Sequence, residues 1–284
     1  MPKVLDQAAI ASYQESGVHF PVPVLSPEEA AALVLRFEEV QARDGSRISP
    51  NNNQMHNSHM VLTWVSDLIR HPKLLDAVED ILGPNILCWN TQFFAKGSRD
   101  PRFVSWHQDS TYYGLSSTEV MTAWIALTPS VRENGCLRVV PGSHKSQVEH
   151  IDTFDEKNFL TRGQEIAVKV NEDEVVDVEL QPGQASFHNV RIFHGSEPNS
   201  ADFPRIGFAI RYIPTHVYQT TGLRDSATLV RGVDTYGHFN LEPPPESDLH
   251  PDAMARHAAS VDMQLQILYA GATAVGKRAA EGAR

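Results

Sequence analysis

The stretch Glu133-Asn134-Gly135-Cys136-Leu137-Arg138-Val139-Val140-Pro141-Gly142-Ser143-His144 sets a short, mostly apolar run between two turn signals. Residues 136–140 read as a strand, closed by the Pro141-Gly142-Ser143 turn. The same texture recurs from Asn85 onward, with strand-like runs at 86–96, 103–107, 120–128, 175–180, 185–188 and 206–213. Gly and Pro punctuate them, as in Gln181-Pro182-Gly183. Many short strands with such breaks predict a sandwich or barrel.

Upstream of that block the pattern is helical. Ser26-Pro27-Glu28-Glu29 has Ser at the N-cap, Pro at the first helical position and Glu three residues after the cap, a capping-box start. Leu33, Val34, Phe37 and Val40 follow at helical spacing. A second helix is predicted over 72–82, with Leu74, Leu75, Val78, Ile81 and Leu82 inward and Gly83-Pro84 as its stop. Helices first and strands after predict an α+β protein, mainly β, with helices packed on a β core. The chain divides into a helical part at 1–84, a β core at 85–214 and an irregular, then helical, part at 215–284, within a single domain of 284 residues. A long insertion at 145–177 interrupts the strands, and loops of that length are more often functional than decorative. Residues 254–268 have a helical pattern, and the Ala/Gly/Lys/Arg tail beyond them carries no assignable function.

Composition excludes several classes. A net charge of −11 argues against nucleic acid and anionic membranes as partners, since both call for a basic surface. There is no uncharged run of about 18 apolar residues and no leader-like N-terminus. The cytoplasm is the expected location. Cys88 and Cys136 lie apart in apolar runs and read as small core residues rather than a zinc or redox pair.

Trp106-His107-Gln108-Asp109 and, far downstream, Phe193-His194-Gly195-Ser196 carry the chemistry. Residues at i and i+2 of a strand share a face, so His107 and Asp109 can reach one metal ion. His194 can join them only through the fold. Two imidazoles and one carboxylate suit Fe(II) and leave coordination positions open. Arg205, eleven residues after His194, is a natural bidentate partner for the distal carboxylate of 2-oxoglutarate. Ser196 lies two residues after His194 and can add a hydrogen bond to that carboxylate. Trp124, on the predicted strand 120–128, is a candidate wall of the co-substrate pocket.

Taken together, the blocks Trp106-His107-Gln108-Asp109, Gly135 to His144, His194-Gly195-Ser196-x-x-Asn199 and Arg205 resemble the phytanoyl-CoA dioxygenase family. The resemblance spans roughly residues 20–214. It implies a double-stranded β-helix (jelly-roll, cupin-like) core flanked by N-terminal helices. It implies His107, Asp109 and His194 as iron ligands, Arg205 as the anchor of 2-oxoglutarate, Ser196 and Trp124 as its neighbours, and Asn90 and Gln92 as polar contacts to that co-substrate. Halogenating relatives replace the carboxylate of the H-x-D with Ala or Gly. Asp109 is present here, so the likeness points to hydroxylation, with O2 consumed and succinate and carbon dioxide released.

The substrate is less legible. Tyr112, Tyr113, Asn158, Arg162 and Arg211 are candidate contacts; the two arginines suit an anionic group such as a carboxylate or phosphonate, whereas the two tyrosines suit stacking on an apolar or cationic one. Arg211 is six residues from Arg205 and shares its face on a regular strand. The acidic chain lacks a basic patch for CoA phosphates, which favours a small polar metabolite. His56 and His59, in the Asn-rich run 51–59, read as part of a lid loop rather than a second metal site. His144 reads as structural, and His188 is the reserve ligand. Two other readings stay open: desaturation, epoxidation or cyclisation on the same iron, and a non-enzymatic metal-binding barrel.

Overall fold

The computed structural model describes residues 2–48 and 55–270. It opens with helix α1 (Gln7–Ser16), strand β1 (Val18–Pro23) and helix α2 (Pro27–Ile48), followed by α3 (Thr63–Leu68) and α4 (Pro72–Leu82). The capping box forms as the sequence predicts: Ser26 N donates to Glu29 Oε2 at 2.7 Å, and Glu29 N donates to Ser26 Oγ at 3.2 Å.

The strands then run β2 (Ile86–Lys96), β3 (Val104–His107), β4 (Met121–Ala126), β5 (Leu137–Val140), β6 (His150–Asp152), β7 (Gln164–Ile166), β8 (Val176–Val178), β9 (Gln184–Asn189), β10 (Phe193–Ser196), β11 (Arg205–Pro214), β12 (Ser226–Arg231) and β13 (Asn240–Leu241). A one-turn helix, α5 (Ser110–Tyr113), follows β3, and α6 (Pro251–Leu268) closes the described chain. The large sheet has the order β1-β9-β4-β11-β2-β12-β13, and the smaller one β3-β10-β5-β8. Every pairing is antiparallel except β12 with β13. The insertion at 145–177 contains the hairpin β6–β7.

The central strands of the large sheet are buried on both faces, and the two faces differ. On β11 the residues Ile206, Phe208, Ile210 and Tyr212 join the helices in one core, with Phe37, Leu74 and Val78 among their companions. The alternate residues Arg205, Ala209 and Arg211 turn toward the small sheet. Strand periodicity repeats this on β4, where Met121, Ala123 and Ile125 face the helices and Thr122, Trp124 and Ala126 face inward. One face supplies stability and the other presents chemistry. This is the two-sheet, helix-flanked architecture of a double-stranded β-helix.

Three strands of the large sheet, β1, β12 and β13, lie outside the interval 85–214 read as the β core. β1 contains Pro21 and Pro23, which demote a strand reading, but as the edge strand it can forgo those N–H groups. β12 sits in the stretch 215–249 that reads as irregular. Among the described residues, no helix is long and apolar enough to cross a membrane.

Candidate active site

The inner face of the large sheet and the mouth of the small sheet enclose a cavity of about 160 Å³. His107, Asp109 and His194 meet at its wall, their ligand atoms all within 4.8 Å of one another. His107 ends β3 and pairs directly with His194 on β10, which brings two residues 87 positions apart into register. Asp109 is not on the strand. It has helical backbone angles and caps α5, so it reaches the site because the chain turns after His107, not through strand alternation. Gln108, between the ligands, points away and is fully buried. Its Nε2 donates to Ser146 O at 2.8 Å and Arg191 O at 2.6 Å, and its Oε1 accepts from Val148 N at 3.0 Å. The residue separating the two ligands thus staples the base of the insertion.

The hydrogen bonding of the imidazoles prepares them for a cation. His107 Nδ1 lies 2.8 Å from Ser105 O, and His194 Nδ1 lies 3.0 Å from Ile192 O. A carbonyl only accepts, so both Nδ1 atoms carry the proton and both Nε2 atoms present lone pairs. His107 Nε2 faces Asp109 Oδ1 at 3.3 Å, and buried Oδ2 accepts no hydrogen bond. Lone pairs set against a carboxylate repel unless a cation lies among them. Burial tends to raise the Asp109 carboxyl pKa, yet His107, His194 and Arg211 together hold it well below the usual range. Burial keeps His194 neutral, its pKa well below that of a free imidazole. The donor set fits a divalent metal.

Arg205 opens β11 and is buried. Its Nη1 donates to Ser196 Oγ at 3.1 Å and to Gly135 O, while Nε has no partner. No carboxylate pairs with it among the described residues. Burial lowers it to about 10, so it remains a cation at neutral pH. An uncompensated buried guanidinium calls for an anion. Trp124 stands beneath it, the ring centroid 5.4 Å from the guanidinium carbon.

The block at 135–144 supports this arrangement. Ser143 Oγ donates to Val140 O at 2.6 Å and accepts from Phe193 N at 2.8 Å, which ties the turn to the residue before His194. His144 sits against α1, its Nε2 3.2 Å from Gln14 O, in a structural role.

Other predicted residues distribute unevenly. Asn90 and Gln92 line the cavity, but across from Arg211 rather than Arg205: Arg211 Nη1 donates to Asn90 Oδ1 at 3.2 Å and Gln92 Oε1 at 3.5 Å. The β2 residue paired opposite Arg205 is Lys96, which sequence reading passed over. Lys96 is fully buried and donates to Ser196 Oγ at 2.6 Å; burial, then the Arg205 charge, lowers its pKa to about 6. Tyr112 and Tyr113 both line the cavity, and Tyr113 Oη accepts from Arg211 Nε at 3.1 Å.

Asn158 and Arg162 do not line it. Asn158 Nδ2 donates to Ser105 Oγ at 2.7 Å and its Oδ1 accepts from Leu160 N at 3.1 Å, so its polar atoms brace the loop. Arg162 is paired with Asp152, covers the Tyr112 ring and donates to Leu268 O at 2.7 Å. The insertion reaches the cavity instead through Phe159, Leu160, Thr161 and Gln164. The opposite wall is α6, through Val261, Gln264, Leu265, Ile267 and Leu268. His188 also faces the cavity, 5.1 Å from the His194 ring, but stands outside the ligand cluster; burial lowers it to about 4. Residues 51–54 of the Asn-rich run and the tail at 271–284 lie outside the described residues. His56 does line the cavity, whereas His59 is buried away from it, 2.9 Å from Thr91 Oγ1.

Two sheets of this kind with a His-x-Asp…His cluster define a non-haem Fe(II)- and 2-oxoglutarate-dependent oxygenase. A family model described as phytanoyl-CoA dioxygenase (PhyH) matches residues 13–207, and the chain belongs to that family. It is 30% identical over 177 residues to a Stutzerimonas stutzeri protein described as a probable alpha-ketoglutarate-dependent hypophosphite dioxygenase, covering 60% of this chain and 59% of that protein. It is 26% identical to the ectoine dioxygenase of Nocardia farcinica over 220 residues, 69% of this chain and 74% of the relative. Among solved structures it is similar to the apo form of the non-haem monooxygenase ThoJ, with a TM-score of 0.81, 34% identity, and coverage of 92% and 97% of the two chains.

Proposed function

We propose that this dioxygenase hydroxylates an unactivated C–H bond of a small polar metabolite, with succinate and carbon dioxide as co-products. The observation that carries the proposal is the pairing, in one cavity, of three converging metal-ligand atoms with an uncompensated buried arginine. Bound Fe(II) and 2-oxoglutarate supply the activation of oxygen, coupling decarboxylation of 2-oxoglutarate to oxidation of the substrate.

The chain's own residues do the rest. His107, Asp109 and His194 hold the metal on one side. Arg205 and Ser196 take the distal carboxylate of 2-oxoglutarate, and Trp124 walls it. Asp109 retains the carboxylate that halogen transfer replaces, which favours oxygen insertion. Relatives named for hypophosphite and ectoine point the same way.

Anaerobic addition of Fe(II) and 2-oxoglutarate is expected to give a weak visible charge-transfer band that disappears in His107→Ala. Absence of the band from the wild-type protein refutes the oxygenase reading. With a turned-over substrate, hydroxylation adds one oxygen atom to the product mass; loss of two hydrogens instead assigns desaturation.

A further inference from the structure

The charge inside the cavity is unbalanced, and the imbalance has a location. Among the lining residues there are two cations, Arg205 and Arg211, and one carboxylate, Asp109. His107 and His194 donate Nδ1–H to backbone carbonyls and turn Nε2 lone pairs toward the metal position, so as ligands they add no charge, and buried His56 is neutral. Fe(II) and dianionic 2-oxoglutarate cancel each other, so the loaded site keeps one net positive charge. A buried charge is costly unless paired.

That charge sits on Arg211. Its three intraprotein hydrogen bonds go to neutral oxygens: Nε to Tyr113 Oη at 3.1 Å, Nη1 to Asn90 Oδ1 at 3.2 Å and Nη1 to Gln92 Oε1 at 3.5 Å. These acceptors orient the guanidinium without neutralising it. Nη2 donates to nothing among the described residues. Its nearest carboxylate oxygen, Asp109 Oδ2, is 4.0 Å away, beyond hydrogen-bond distance, and belongs to a metal ligand. Arg211 is only 6% exposed, so bulk water does not screen it. The far wall is of another kind: Leu160 from the insertion and Val261, Leu265, Ile267 and Leu268 from α6 are apolar, with Gln264 the one amide among them.

We propose that the substrate is an organic monoanion, its charged group seated on the free edge of Arg211 and its carbon body against the apolar wall of α6. This rests on the oxygenase reading and narrows it. A cationic amine has no free carboxylate to meet there, and a neutral amide leaves the guanidinium uncompensated.

The probes are hexanoate, hexanamide and hexylammonium, which share a carbon body and differ in charge. Each is titrated calorimetrically into the anaerobic protein saturated with Fe(II) and 2-oxoglutarate, while the charge-transfer band is followed. Hexanoate is expected to bind at least fivefold more tightly than either partner, with the band retained. In Arg211→Gln the ratio is expected to fall below five. The proposal is overturned if no probe binds the wild-type protein, if the wild-type ratio is below five, if hexanoate erases the band by displacing 2-oxoglutarate, or if the preference survives in Arg211→Gln. The wild-type comparison needs no variant, so misfolding of Arg211→Gln does not shield the idea. A missing band in the wild-type protein indicts the oxygenase reading; a normal band without charge preference indicts this proposal alone.

Discussion

Single side chains in this protein are read best by asking where their charge goes. Asp225 is a case away from the metal. It is buried, accepts from Trp89 Nε1 at 2.7 Å and Ser226 N at 2.7 Å, and burial raises its carboxyl to about 6 from an ordinary 3.8. Between those values the folded carboxyl holds a proton that the unfolded chain has released. The folded state is therefore favoured most at low pH, and that advantage disappears as pH rises through about 6. The interval corresponds to about 3 kcal/mol. The stability of the wild-type protein minus that of Asp225→Asn, from urea unfolding, is expected to fall by about 2 kcal/mol between pH 4 and pH 7, the unfolded carboxyl being already largely ionised at pH 4. A difference independent of pH contradicts the assignment.

The residue scale also shows what sequence can reveal. The convergence of His107, Asp109 and His194 was legible because two donors lie two residues apart and the third on a later strand-like run, and Arg205 because it opens the next run. Lys96 was not: it ends an apolar strand, where a lysine ordinarily reaches solvent, and only the register of β2 against β11 places it opposite Arg205. Asn158 and Arg162 misled for the converse reason. A polar residue in a loop looks available, but their groups are consumed by Ser105, Asp152 and the backbone of α6.

Among elements, the contact of β11 with β4 positions Trp124 beneath Arg205. Gly207 pairs with Ala126, two residues along β4 from Trp124 and on the same face, and a Cβ built at Gly207 lies 1.9 Å from Trp124 Cζ2. Glycine is needed at this position for close approach, so that the indole can lie under Arg205. Gly207→Ala is expected to displace the ring, lower stability by about 1–3 kcal/mol and raise the KM for 2-oxoglutarate. Unfolding titration and 2-oxoglutarate-dependent turnover check the two effects; a variant with wild-type stability and KM shows that the ring is not held by this contact. Strand alternation explains why β11 was recognised as a strand, whereas β1 and β12 were not. β11 has ten residues buried on two chemically distinct faces. β1 is broken by prolines, and β12 is six residues inside a polar stretch.

At the scale of the whole molecule, the cavity is closed by parts distant in sequence. α6 follows the last strand, yet its Gln264 Oε1 accepts from Asn57 Nδ2 at 3.0 Å and Asn90 Nδ2 at 2.7 Å, and Ser260 Oγ accepts from Asn57 Nδ2 at 3.3 Å. Apolar residues at helical spacing announced α6 as a helix but not as a cavity wall, because core packing produces the same pattern. Its last turn is held from the other side of the cavity. Arg162, fixed by Asp152 and lying over the Tyr112 ring 4.9 Å away, donates Nη1 to the Leu268 carbonyl at 2.7 Å. That carbonyl is among those a helix terminus leaves unpaired. A hydrogen bond from a charged donor contributes about 1.5–3 kcal/mol, which corresponds to roughly 10- to 100-fold in a local opening equilibrium. Arg162→Gln is therefore expected to speed amide hydrogen exchange in the final turn of α6 by at least about tenfold, while β11 keeps its protection. Equal acceleration in both elements assigns the effect to global destabilisation, and no acceleration in α6 shows that the amides of Gln264 and Asn57 hold the wall unaided.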